Sequence, residues 1–218
     1  MFNDKSVLFQ FRGPFGISVQ IGTSIIFLAL FFVYFSGGML ALAYSSAFFG
    51  MVVLSIFLHE LGHAWGCHIQ RVPVRRIFIF GGGGFCEPAR APTRYQDELI
   101  VAMGPIVNLT IWAGASLLLR YMDFGLAYWA LDSLALINLF LALLNLVPAQ
   151  PLDGGKLFHL MLLRVTEPQR AMRIAGGVGV VICVLWIPAM IYCFMKLGLI
   201  LFFIPPIRLH WQMFSAAA

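Results

Sequence analysis

The sequence predicts an all-α polytopic membrane protein with about six transmembrane helices and a short Gly-rich β-hairpin or re-entrant segment. Composition is the first reason. Of 218 residues, 61% are hydrophobic and 11% charged, against about 45–50% and about 25% in soluble domains. So few charges cannot clothe a water-exposed surface. The second reason is the recurrence of apolar runs near the roughly 20 residues a crossing requires. The third is that Lys and Arg fall between those runs, where topology signals belong. One membrane domain, residues 1–218, takes up the length, with core motifs in 15–165 and additional hydrophobic helices in 170–205.

The first run covers residues 17–35 and is broken by Ser36, Gly37 and Gly38. The second, 40–65, contains His59, Glu60 and His63. A polar segment follows at 71–97; within it 74–80 reads as a short strand running into Gly81, Gly82, Gly83 and Gly84. The third run is 99–119. The fourth, 126–147, ends at Pro148, Pro151, Asp153, Gly154 and Gly155. Residues 156–164 suit a short amphipathic helix. The last stretch, 174–205, is too long for one crossing at about 1.5 Å per residue; with Pro188 and Gly198 inside it, it reads as two short crossings. No internal repeat is visible. Asp4, Lys5 and Arg12 precede the first run without a small-residue cleavage site, so the N-terminus reads as a mature cytoplasmic start.

The net charge of +5 does not point to nucleic acid, because the basic residues form no cluster with aromatics. With six crossings and the N-terminus inside, the inner segments hold Lys5, Arg12, Arg71, Arg75, Arg76, Arg90, Arg94, Lys156, Arg164, Arg170, Arg173 and Arg208. The outer ones hold Arg120 and Lys196. That asymmetry is a positive-inside signature. It places the inner ends of the second and fourth helices on the cytoplasmic side. Cys67, Cys86, Cys183 and Cys193 show no CxxC spacing and read as small buried hydrophobes.

His59 and His63 stand four apart, so on a helix their rings project from nearly one face, one turn apart. Two imidazoles so placed can share one Zn²⁺ at about 2.0–2.1 Å. Glu60, rotated by about 100°, cannot easily ligate the same ion but can reach water beside it. This is the H-E-x-x-H pattern with Glu as general base. Catalytic zinc commonly takes three protein ligands. His68 falls one residue short of an extended H-x-x-G-x-x-H spacing, and Glu87 suits a soluble gluzincin arrangement. Asp153 shares the depth of the histidines, each lying at the inner end of its helix, and is the preferred third ligand. Three ionisable groups in five residues at bilayer depth cost several kcal/mol, which a metal or cavity must offset.

Two stretches carry a resemblance. His59-Glu60-Leu61-Gly62-His63, together with the 145–155 segment from Asn145 through Pro148, Pro151 and Asp153 to Gly155, resembles the site-2 protease family of intramembrane zinc metalloproteases, in a compact form without a PDZ or nucleotide-binding domain. The 102–108 segment, with Gly104, Pro105 and Asn108, is similar to the family's third-helix motif. Gly81–Gly84 is similar to its Gly-rich hairpin, and residues 15–19 are a weaker match. The resemblance implies one Zn²⁺ on His59, His63 and Asp153, with Glu60 as base. It also implies cleavage within or near a transmembrane segment of a single-span membrane protein, either a regulator or a remnant signal peptide.

Other residues carry paired readings. Asn145, eight before Asp153, is a candidate catalytic residue whose amide can meet an oxyanion; Asn138 and Asn145, seven apart, also suit helix–helix bonding. Asn108 reads as a helix-packing group. Gly81–Gly84 can hold an unwound substrate by edge pairing, or simply form a re-entrant turn. His68, His159 and His210 read as interfacial or solvated, and Asp132 as interfacial. The rival functions are a membrane metal-ion transporter and a catalytically silent metal binder. A transporter should space its ligands along a pathway and often repeats its halves; a silent binder should dispense with Glu60.

Overall fold

Hydropathy alone does not separate a buried strand from the start of a helix, and the N-terminal third of the chain turns on that ambiguity. The computed structural model describes residues 6–34, 38–197 and 204–215. By contact the chain divides into two units, Met1–Ala142 and Leu143–Ala218.

In the first unit, β1 (Val7–Arg12) and β2 (Ser18–Gly22) lead into α1 (Ile25–Tyr34) and α2 (Met39–Ile69). Then come β3 (Val74–Phe80), β4 (Gly83–Pro88), α3 (Arg94–Leu119) and α4 (Leu126–Asn145). The strands form one sheet in the order β1-β2-β3-β4. The β1–β2 and β3–β4 pairs are antiparallel and β2–β3 is parallel. A parallel pair needs a long crossover; here α1 and α2 provide it. Ile17, Val19, Ile77 and Ile79 of the sheet region join Ile56 and Ala64 of α2 in one buried cluster. The sheet is therefore docked on the helix that carries the histidines.

The sheet's polar face is tied by side chains across all four strands. Gln20 donates to Gln10, Arg76 donates to Gln20, and Arg76 and Arg75 donate to Glu87 at 2.7 and 3.0 Å. The Arg76 guanidinium also lies over the Phe78 and Phe85 rings.

Helices α2 and α3 approach closely because α2 presents Gly62 and Gly66 four residues apart. A Cβ at Gly62 would sit 2.7 Å from the Met103 carbonyl oxygen, and one at Gly66 would sit 2.9 Å from the Ile100 Cα. Small residues at this spacing let membrane helices close to backbone contact. Helix α3 starts with a capping box, Gln96 N–H to Thr93 Oγ1 and Thr93 N–H to Gln96 Oε1.

The second unit contains α5 (Asp153–Val165), α6 (Pro168–Leu197) and α7 (Ile207–Ser215). Gly154 and Gly155 pack on the preceding loop; a Cβ there would meet Leu146 O at 2.2 Å and Ala149 C at 2.4 Å. His210 of α7 is buried, 1% exposed, and its Nε2 lies 3.0 Å from the Gln150 carbonyl. The interfacial reading of His210 is thus corrected. The ring fits because α6 has glycine at position 179, where a Cβ would fall 1.9 Å from His210 Nδ1. A ring pinned on both sides has nowhere to go. Gly179→Ala is expected to cost about 1–3 kcal/mol by overpacking, read as a lower Tm in detergent. An unchanged Tm would mean the ring swings away freely.

The predicted class holds, an all-α polytopic membrane protein with a small sheet, and the details shift. Among the described residues, α2, α3, α4 and the 168–192 part of α6 are long and apolar enough to cross a membrane. Four such helices differ from the expected six. The first run is not one crossing: Ser18–Gly22 pairs with strands on both sides. The 10-residue α1 is only about 15 Å long at 1.5 Å per residue. The hairpin at 81–84 belongs to a four-stranded sheet. Helix α6 continues through Pro188. The break expected at Gly198, like Ser36 and Gly37, lies outside the described residues.

Candidate metal centre

The buried face of α2 runs Ser55, Ile56, His59, Glu60, Gly62, His63, Ala64, Gly66, Cys67, a helical repeat that brings the sequence motif inward. His59, Glu60 and His63 are 5, 5 and 8% exposed. The His59 and His63 rings stand edge to face, and their Nε2 atoms lie 3.1 Å apart.

Their other nitrogens fix the protonation. His63 Nδ1 is 2.8 Å from the Ile100 carbonyl, which can only accept, so Nδ1 carries the proton. His59 Nδ1 meets the Asn108 Oδ1, also an acceptor. Both rings are therefore Nδ1–H tautomers, and each aims an Nε2 lone pair into the same small space. Two such nitrogens at 3.1 Å repel unless a proton or a metal ion lies between them. Neutral imidazoles oriented by outer hydrogen bonds are the usual zinc-ligating arrangement, so the donor set fits a zinc ion.

Glycines make room at the histidines and at Glu60. A Cβ at Gly104 of α3 would lie 2.5 Å from His63 Nε2 and 2.7 Å from His59 Nε2. One at Gly84 of β4 would lie 2.8 Å from Glu60 Cγ and 3.0 Å from Glu60 Oε1. The edge strand therefore runs directly over the carboxylate that the motif offers as base.

With this geometry established, the profile of peptidase family M50 matches residues 47–127 and 122–186. The chain belongs to peptidase family M50. It is 29% identical to the zinc metalloprotease MJ0392 of Methanocaldococcus jannaschii over 60% of the chain and 39% of that protein. It is 33% identical to the putative zinc metalloprotease sll0528 of Synechocystis over 59% of the chain and 35% of that protein. To stage IV sporulation protein FB of Bacillus subtilis it is 27% identical, over 62% and 46%. The match thus spans less than half the length of these curated relatives. The fold is similar to that of the site-2 protease of Methanocaldococcus jannaschii, with a TM-score of 0.66, 21% identity, and coverage of 96% of this chain and 93% of that one.

In this M50 chain, Asp153 is half-buried and opens α5, where a carboxylate is favoured by the helix dipole. Asn145 is the last residue of α4. Gly81 and Gly82 form the β3–β4 turn, and Gly83 and Gly84 begin β4. Gly83 has φ +133°, a conformation other residues rarely adopt.

Two alternatives for the third ligand find other partners. His68 is exposed and stacks on Phe15, centroids 4.7 Å apart. Glu87 binds Arg76 and Arg75. The Arg76 hydrogen bond, opposed by desolvation, holds its carboxyl below the ordinary 4.5. A depressed carboxyl contributes stability that is full above its unfolded pKa and is lost as pH falls through the folded value. Tm is therefore expected to drop on acidification below pH 4.5, and less steeply in Glu87→Gln. Parallel slopes would show that Glu87 is not the cause. Cys86 is pushed far up, first by its hydrogen bond with Cys67, then by burial, and stays a neutral thiol rather than a thiolate ligand.

Sequence reading missed Gly104 and Gly84 as space-makers, and the orienting role of Asn108. The H-E-x-x-H motif itself demands the first: two imidazoles facing inward need a neighbour without a side chain. Asn108, fully buried, reads from the sequence as a helix-packing group; nothing in one sequence tells which partner a membrane asparagine finds.

Proposed function

We propose that this chain is an intramembrane zinc endopeptidase in which His59, His63 and Asp153 hold one zinc ion and Glu60 is the general base. The observation that carries the reading is the pair of buried imidazoles, protonated on Nδ1, whose Nε2 atoms converge to 3.1 Å. Among the described residues, His59, His63 and Asp153 are the group of ligand types suited to a metal. Membership of M50 and relatives named zinc metalloprotease support the same ion.

A zinc ion bound there supplies Lewis-acid polarisation of the scissile carbonyl and acidification of the attacking water. The protein's own part is positional. His59 and His63 present neutral nitrogens from the buried face of α2. Glu60 accepts the water's proton on its carboxylate and returns it to the leaving amine. The Asn145 amide donates to the oxyanion.

A helical substrate hides its scissile carbonyl in a hydrogen bond and must unwind first. Strand β4 is at the sheet edge and begins with Gly83 and Gly84, the latter against Glu60. We assign Gly81–Gly84 and β4 to hold the unwound segment by strand addition. The substrates are single-span membrane proteins, either regulators or remnant signal peptides, and a regulatory membrane partner can govern their access. Arg71, Arg75, Arg76, Arg90 and Arg94, between α2 and α3, support a cytoplasmic opening for the site, and the pairing of β2 with β3 supports the same side for the N-terminus.

The test is cleavage of a single-span reporter in proteoliposomes. Chelation should abolish cleavage and added zinc restore it. Cleavage indifferent to chelation would refute the zinc-peptidase reading, and zinc uptake without cleavage would favour a transporter.

A further inference from the structure

Three polar side chains in the first unit belong to no ligand set. Ser55, Asn108 and Asn138 are each 0% exposed and come from three different helices, α2, α3 and α4. Burying them in an apolar protein is costly unless every group is paired, and they pair in series. Asn138 Nδ2 donates to the Leu134 carbonyl at 2.9 Å and to Ser55 Oγ at 3.0 Å. Asn108 Nδ2 donates to Asn138 Oδ1 at 2.7 Å. Asn108 Oδ1 meets His59 Nδ1.

The direction of this chain is forced from its far end. A backbone carbonyl can only accept, so the Leu134 oxygen requires the Asn138 NH₂ on its side. That leaves Asn138 Oδ1 facing Asn108. The Asn108 NH₂ must then turn to it, which leaves Asn108 Oδ1 facing His59, and His59 must be protonated on Nδ1. Flip any amide and two donors or two acceptors collide.

We propose that Asn138 is a positioning residue, anchored on the Leu134 carbonyl and acting through Asn108 to fix the His59 tautomer whose Nε2 is unprotonated and can ligate a metal. His63 needs no such relay, because it reads a backbone carbonyl directly. The two histidines of one motif are thus set by different devices, one a single contact from α2 to α3 and one running through three helices. The inference rests on the metal-site reading, but its first readout does not need the metal.

The experiment is ¹⁵N NMR of histidine-labelled, metal-free protein in micelles, with zinc affinity measured on the same samples. Wild type should show His59 protonated at Nδ1 and bare at Nε2. Asn138→Leu should release the Asn108 amide, populate the Nε2–H form and weaken zinc binding about 10- to 100-fold. Adding Asn108→Asp gives His59 a partner with acceptor oxygens alone, so the double variant should regain both the Nδ1–H form and the affinity. Packing damage at position 138 would not be repaired that way.

A wild-type His59 carrying its proton on Nε2 overturns the proposal without any variant. So does an Asn138→Leu protein with wild-type tautomer and affinity, or a double variant no better than the single. An Nδ1–H wild type whose tautomer responds as expected, but which binds no zinc, would uphold the relay and sink the zinc-peptidase reading.

Discussion

Glu60→Gln is expected to keep zinc binding and to lose about 10²- to 10⁴-fold in cleavage rate, the range general-base catalysis supplies. Glutamine fills the same space beside Gly84 and can still accept a hydrogen bond through its carbonyl, so the packing of β4 on α2 is retained. What it cannot do is take a proton at neutral pH. Zinc content by elemental analysis and cleavage of a single-span reporter should therefore separate. If zinc is lost with activity, Glu60 shapes the metal site; if activity survives, another group is the base.

Gly104→Ala is expected to do the reverse, removing the metal while leaving the helices folded. The added methyl would lie 2.5 Å from His63 Nε2 and 2.7 Å from His59 Nε2, within the space the two lone pairs share. The rings are held from behind by the Ile100 carbonyl and Asn108, so the methyl occupies room that zinc needs. A loss of zinc affinity of at least about 100-fold, the upper end for perturbing a ligand's surroundings, should appear with near-native helical circular dichroism. Tight zinc binding in this variant would mean that the rings move apart easily and that the site is not preorganised.

The elements most legible in the sequence were those whose pattern has one physical solution. Two histidines four apart with an intervening glutamate can share a site only on a helix, and α2 carries them on its buried face. Residues 74–80 read as a short strand running into glycines, and β3 occupies that span. The first apolar run was less legible. Its first part, Ser18–Gly22, is a strand paired with β1 and β3, and tertiary pairing leaves no mark that hydropathy can detect. Pro188 looked like a break, yet α6 accommodates it.

Polar residues were the hardest to place. Asn138 was read with Asn145 as one helical face, but its partners are Ser55 and Asn108, on helices 83 and 30 residues away in sequence. Glu87 had the spacing of a ligand until Arg75 and Arg76, across the strand pair, claimed it. His210 sits among apolar and aromatic neighbours in sequence, with no hint of the Gln150 carbonyl that holds it. Each of these was decided by a long-range contact, which spacing along one chain does not encode.

The most direct test of the central claim is zinc K-edge X-ray absorption on the purified chain loaded with zinc. One ion per chain is predicted, bound by two imidazole nitrogens and oxygen ligands at about 2.0–2.2 Å, with the oxygen contribution reduced and the affinity lowered in Asp153→Ala. A sulfur shell at about 2.3 Å, or a zinc environment identical in wild type and Asp153→Ala, would contradict it.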